Sequence, residues 1–296
     1  MKALASQLDQ AWPQWRAWVA ITRIDRPVGS YLLLWPTLWA LWAAAEGVPS
    51  IANLVIFTAG VFLMRSAGCV INDYADRKVD GHVKRTCDRP LATGALTPKA
   101  ALTGFAALLV IAFLLVLLTN SLTIMLSFGG VALAALYPFM KRHTHLPQLF
   151  LGAAFSWAIP MAFAAEANEL PAHLWLFYAA NLCWTIAYDT YYAMVDRDDD
   201  VKIGVKSTAI LFGDLDLHII GLLQLMNAAF LFLAGQQFEF GWPYYIALIA
   251  GIAFMGWQLW SARDRSREAC FKVFLQSHWY GLIILVGIVA NYLLVN

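Results

Sequence analysis

Apolar stretches long enough to cross a bilayer recur along the whole of this sequence. About nine can be drawn, at 28–45, 51–71, 99–119, 122–139, 147–165, 172–192, 216–234, 242–260 and 279–294. A hydrocarbon core of ~30 Å needs roughly twenty consecutive apolar residues of helix. In lipid the backbone must satisfy its own hydrogen bonds, so segments of this length are helices. Hydrophobic residues make up 61% of the chain and charged residues 13%, about half the charged share of a soluble domain. The expected fold class is therefore all-α, a polytopic membrane protein of about nine transmembrane helices, read as one domain over 1–296. A net charge of +1 gives no indication of nucleic-acid binding, because the distribution of charge matters more than its sum.

That distribution is one-sided. With an odd number of spans the termini lie on opposite faces. If the N-terminus is cytoplasmic, so are Lys2, Arg16, Arg23 and Arg26, and the loop after the second span with Arg77, Lys78, Lys84, Arg85, Arg89 and Lys99. Lys141 and Arg142 join them, as do Arg197, Lys202 and Lys206, and Arg263, Arg265, Arg267 and Lys272. The outer loops carry Glu46, Glu166, Glu169 and Glu239 and no basic residue. Basic residues are retained on the cytoplasmic side, so the C-terminus is expected outside. The first 27 residues hold Trp12, Trp15, Trp18 and Val19 near helical spacing beside Gln and Arg. This segment is expected to lie on the cytoplasmic membrane surface as an interfacial helix. The four cysteines show no zinc-site spacing, and their cytoplasmic or membrane placement argues against disulfides.

Two acidic segments sit where apolar runs reach the cytoplasm. In the first, Asn72, Asp76 and Asp80 recur every four residues; in the second, Asp189, Ala193, Asp196 and Asp200 fall on one stripe. Residues four apart share a helix face, so each segment is expected to present a column of oxygen ligands. Hard oxygens suit Mg²⁺, which commonly bridges a few carboxylates to substrate phosphates. Two facing columns would hold a pair of ions around a diphosphate. Asp76-Arg77-x-x-Asp80 also matches Asp196-Arg197-x-x-Asp200 without a gap. Four spans separate the two, so spans 1–4 and 5–8 read as parallel repeats placing the columns across one central cavity. Asp198, Asp199 and Asp264 read as solvated loop acids. Arg65, inside the second span, needs a polar partner or a wet cavity; it is either a salt-bridge partner or a phosphate contact.

These motifs resemble those of the UbiA family of membrane prenyltransferases. Asn72, Asp73, Asp76 and Asp80 resemble the family's Asn-Asp-x-x-Asp-x-x-x-Asp, continuing into Val83-Lys84-Arg85-Thr86 and Arg89-Pro90. Asp196 and Asp200 resemble its second motif, followed by Gly204-Val205-Lys206-Ser207-Thr208. Arg26-Pro27-Val28-Gly29 with Leu33-Leu34-Trp35-Pro36-Thr37 is similar to the branch acting on 4-hydroxybenzoate. So is Tyr137-Pro138-Phe139-Met140-Lys141-Arg142 with Leu146-Pro147-Gln148. The resemblance covers nearly the full length. It implies a ring of nine helices around a cavity open to the cytoplasm and to lipid, in a bacterial inner membrane.

The chemistry implied is loss of diphosphate from a polyprenyl diphosphate and attack by a phenol ring on the allylic cation. Mg²⁺ and nearby cations stabilise such a leaving group. Asn72, Asp76 and Asp80 are expected to hold one ion, and Asp196 and Asp200 the other. Lys84, Lys141 and Lys206 are expected at the phosphates. Arg142, with Tyr137 nearby, is expected at the benzoate carboxylate, since a planar guanidinium matches a carboxylate. Asp196 and Asp189 both remain candidates to orient the phenol or take its proton. Other acceptors stay open (dihydroxynaphthoate, homogentisate, haem), as does a cation transporter. The clustering of the acids at cytoplasmic ends beside lysines favours the enzyme.

Overall fold

The computed structural model describes residues 9–78, 80–82 and 86–295, leaving aside the side chains of His82 and Lys141. Among the described residues every regular element is helical. The chain forms α1 (Trp15–Thr22), α2 (Val28–Ala44), α3 (Ile51–Asp76), α4 (Pro98–Val116), α5 (Ser121–His143), α6 (Pro147–Ser156) and α7 (Ala158–Ala167). It continues with α8 (Leu174–Ile203), α9 (Thr208–Phe212), α10 (Asp216–Gln237), α11 (Trp242–Ser261), α12 (Arg267–Gln276) and α13 (His278–Leu294). Each of the nine apolar stretches falls on helix.

Seven helical segments among the described residues are long and apolar enough to cross a membrane. α2 is apolar but has only 17 residues, and α8 lies outside the seven although it has 30. The reason for α8 is chemical: even its more apolar N-terminal part carries Asn181, Thr185, Asp189 and several Trp and Tyr residues. This is an integral, multi-pass membrane architecture in which the count of nine spans is approximate.

Helix starts follow local capping. Ser50 accepts from the Asn53 N–H, Thr97 from Ala100, Asn120 from Thr123 and Ser266 from Ala269. Each side chain satisfies one of the amides that a helix start leaves unpaired. The expected span 147–165 is broken at Trp157 into α6 and α7. Pro160 follows three residues later and has no N–H to donate to Ser156, which interrupts the ladder there. The Trp157 indole instead reaches α5, donating to the Leu126 carbonyl at 2.7 Å.

Packing runs around a ring. α3 packs on α2 and α4, α5 on α6, α6 on α8, α8 on α10, α10 on α11 and α11 on α13. α13 closes the ring against α2. The seam is sealed by aromatic burial: Trp39 of α2 is fully buried, stacks on Trp184 with centroids 5.8 Å apart, and donates to the Gly281 carbonyl at 2.8 Å. Burying aromatic side chains of this size stabilises by roughly 2–3 kcal/mol each. Helix α1 packs on α3, its Ile21 buried and its Trp18 filling the space beside Gly104. α1 is thus anchored to the bundle.

Candidate active site

One cavity of about 660 Å³ lies inside this ring. Along α3 its lining steps by four residues from Ile56 through Gly60, Met64, Gly68 and Asn72 to Asp76, with Arg65 beside Met64. Twenty residues of helix span about 30 Å, so the cavity runs most of the way across the membrane. Along α8 the lining residues are Tyr188, Asp189, Tyr192, Ala193, Asp196 and Asp200, the stripe that the four-residue spacing anticipated. Asn72, Asp76, Asp80, Asp189, Asp196, Asp200, Tyr137 and Lys206 all line this one cavity. Its acidic end lies where α3 and α8 terminate, and its other end is apolar.

The first column departs from the expected geometry. α3 ends at Asp76, and Asp80 lies beyond it in a short 3₁₀ turn, Asp80–His82. Asp80 is therefore not one helical step from Asp76. It is held by Arg89, whose Nη1 donates to both carboxylate oxygens at 3.0 Å. Burial pushes the Asp80 carboxyl above its ordinary value, and the Arg89 guanidinium pulls against that shift. The Thr86 hydroxyl donates to the Asp80 carbonyl at 2.9 Å and fixes the turn. The second column remains helical through Asp200. α8 ends at Gly204, whose φ of +71° is a left-handed conformation open to glycine, with its N–H on the Asp200 carbonyl.

Asp73 has a different role from its neighbours. It is fully buried and is not among the cavity-lining residues. Arg23 Nη2 donates to its Oδ1 at 2.8 Å, and Arg89 Nη1 lies 3.1 Å from the same oxygen. Asp73 thus ties the end of α1, α3 and the 86–97 loop together. Burial disfavours charge on Arg23, yet the Asp73 carboxylate more than offsets this and holds it charged. Sequence reasoning gave Arg89 no role beyond its place in the first motif, and considered Arg23 only as a substitute for Arg142 at the carboxylate. Asp73 falls outside the four-residue spacing, and that misfit was the available signal.

A second clamp backs α8. Buried Asp216, at the start of α10, pairs with Arg197 and accepts from Arg265 Nε at 3.0 Å. Arg267 donates to Asp199 at 3.1 Å and to Asp198 at 3.2 Å. Asp199 is thus a half-buried partner of Arg267, while Asp198 stays exposed to solvent as expected; both lie on α8 rather than in a loop. Asp264 accepts from the Ser266 hydroxyl and amide and stays in its loop.

The cations separate in the same way. Lys206 lines the cavity and reaches the His143 carbonyl at 3.4 Å. Its segment is fixed by Gln148, which accepts from the Thr208 N–H at 3.1 Å, and by a Thr190–Thr208 hydroxyl contact of 2.8 Å. Lys84 and the side chain of Lys141 lie outside the described residues. Arg142, expected at a carboxylate, is exposed and is not among the cavity-lining residues. Its Nη2 donates to the Ala75 carbonyl at 2.6 Å, because the α5 terminus abuts the end of α3. An orphan carbonyl at a helix end is a natural partner for a guanidinium. Arg65, by contrast, lines the cavity, and its buried Nε has no hydrogen-bond partner among the described residues. It lies 5.9 Å from the Phe155 ring centroid.

The donor set consists of hard oxygens on two facing walls. Among the described residues no three acidic, His or Cys side chains converge as a ready-made metal cluster. Mg²⁺ is commonly held by one or two carboxylates, with substrate phosphate and water completing its shell. The arrangement therefore fits ions shared with a diphosphate better than a closed protein site.

Comparison with known proteins agrees with this geometry. The profile of the UbiA prenyltransferase family matches residues 33–282. A 4-hydroxybenzoate octaprenyltransferase of Pseudomonas syringae pv. syringae is 63% identical over 279 residues, covering 94% of each chain. One from Pseudomonas fluorescens is 62% identical over the same length and coverage. Among solved structures, a UbiA homolog from Aeropyrum pernix superposes with a TM-score of 0.78 at 24% identity, covering 88% of this chain and 97% of that one. A UbiA homolog from Archaeoglobus fulgidus bound to GPP and Mg²⁺ has a TM-score of 0.68 at 16% identity, covering 90% and 99%.

Proposed function

The chain belongs to the UbiA prenyltransferase family, and we propose that it transfers a polyprenyl group from polyprenyl diphosphate to 4-hydroxybenzoate. The observation that carries this reading is the joining of two acid-bearing helix faces to one long apolar cavity. A phosphorylated isoprenoid has that division, a charged head and a lipid-soluble tail. The acceptor is supported by relatives about 60% identical that are named for 4-hydroxybenzoate.

In this reading Asn72, Asp76 and Asp80 hold one Mg²⁺, and Asp196 and Asp200 another. Bound there, Mg²⁺ supplies positive charge that stabilises the departing diphosphate. Lys206 adds a cation on the same side, and Lys84 and Lys141 are the further candidates. The C–O bond to diphosphate breaks, and the allylic carbon bonds to the ring carbon ortho to the phenol oxygen. That ring carbon then loses its proton, which restores aromaticity. Asp189 and Asp196 both line the cavity and are the candidate bases. The apolar walls keep water from the allylic cation.

For the acceptor carboxylate the geometry favours Arg65. It is a guanidinium in the cavity wall, whereas Arg142 is occupied at the end of α3. Tyr137 lines the same cavity. Arg142 then positions Asp76 through the neighbouring Ala75 carbonyl.

Membranes carrying the protein, given a long-chain prenyl diphosphate and Mg²⁺, should yield ortho-prenylated 4-hydroxybenzoate by mass spectrometry. Equal or better conversion of dihydroxynaphthoate or homogentisate would overturn the acceptor assignment. The basic-residue asymmetry supports a bacterial inner-membrane protein with its acidic motifs cytoplasmic and its C-terminus periplasmic. A cysteine introduced at Val201 should react with an impermeant reagent only from the cytoplasmic side; labelling from the periplasm would reverse the orientation.

A further inference from the structure

Within the Arg26-Pro27-Val28-Gly29 motif, Gly29 has a feature that calls for a role at the site. It is the second residue of α2, buried, with nothing in its backbone that demands glycine. Alanine is the better helix former at such a position. The space above its Cα is taken by Arg65: a Cβ built on Gly29 would lie 2.4 Å from Arg65 Nε, 2.5 Å from Nη2 and 2.8 Å from Cζ. The guanidinium therefore turns its Nε–Nη2 edge to the α2 backbone, in space that any side chain would fill.

We propose that Gly29 is a positioning residue for acceptor recognition, the seat that holds the Arg65 guanidinium toward the cavity. The inference rests on the reading of Arg65 as the carboxylate partner. Three observations support it. Both residues line the cavity. The atoms in conflict are the charged tip of Arg65 and not its stem. Arg65 Cζ also lies 5.9 Å from the Phe155 ring centroid, a cation–π contact that holds one side of the guanidinium and leaves its edge to be placed. The α2 backbone supplies the missing surface.

The obstruction is the end of a flexible side chain, so Gly29→Ala should be absorbed by moving Arg65 rather than by unfolding. The variant should melt in detergent no lower than wild type. Its KM for 4-hydroxybenzoate should rise roughly tenfold or more, because displacement of a substrate-orienting group by about an ångström is costly. Its KM for the prenyl diphosphate should stay within about twofold. The decisive comparison is a double-mutant cycle with Arg65→Ala, since residues that act through one another are non-additive. Gly29→Ala should add almost nothing once Arg65 is absent. An unchanged acceptor KM in Gly29→Ala, or full additivity in the cycle, would overturn the seat while leaving the role of Arg65 intact. If Arg65→Ala itself spares the acceptor KM, the reading of Arg65 fails. The seat is then judged by coupling in whichever parameter Arg65→Ala does change, and its absence there overturns the seat too.

Discussion

Replacing Asp76 or Asp196 by alanine should lower turnover by roughly a hundredfold or more, about 2.7 kcal/mol of lost transition-state stabilisation. Both carboxylates line the cavity, one on each facing helix. Each variant removes an anionic ligand from a site that depends on charge as well as geometry. Both proteins should still insert and fold, since each substitution thins a concentration of like charge. Asp73→Asn should behave differently. Asp73 is buried and pairs with Arg23 and Arg89, and removing one partner from a buried ion pair is strongly destabilising. This variant should lose thermal stability and activity together. The check is initial velocity beside a melting curve for the three variants. Wild-type turnover in Asp76→Ala or Asp196→Ala would remove the columns from the mechanism.

The second large effect concerns the acceptor. Arg65→Ala should raise the KM for 4-hydroxybenzoate by roughly 30- to 1000-fold, equivalent to about 2–4 kcal/mol for a charge-assisted contact in a shielded site. The KM for prenyl diphosphate should change little. Arg65→Lys should recover only part of the loss, because an ammonium cannot reproduce the planar fork. Arg142→Ala should instead impair both substrates by comparable, smaller factors, because its contact is the Ala75 carbonyl beside Asp76. Steady-state kinetics in each substrate separate the two arginines. A selective rise in acceptor KM for Arg142→Ala, with Arg65→Ala unaffected, would exchange their roles.

The contrast between these arginines shows where sequence reading reaches its limit. The helices were legible because lipid leaves an apolar run of this length one regular structure. The α8 stripe was legible because Asp189, Asp196 and Asp200 stay within a single helix, where spacing fixes direction. The first column was only half legible. α3 ends at Asp76, and the position of Asp80 depends on Arg89, nine residues further on. The break at Trp157 depends on an indole reaching across to α5. Arg142 sits beside Lys141, an expected phosphate lysine, in sequence, but the docking of α5 on the end of α3 commits its guanidinium to a backbone carbonyl. Arg65 looked like a costly intramembrane charge, and only the assembled ring reveals the cavity it faces. The pairing of Asp198 and Asp199 with Arg267 joins residues almost seventy positions apart, beyond the reach of any local pattern.

The central claim is that two acidic walls act on a diphosphate through Mg²⁺. Its most direct test is product formation by the purified protein in lipid vesicles, with polyprenyl diphosphate and 4-hydroxybenzoate, as the metal is removed and restored. The account predicts no prenylated product in EDTA, full recovery on adding excess Mg²⁺, and no recovery in Asp76→Ala at the same Mg²⁺ concentration. Undiminished product in EDTA would contradict it.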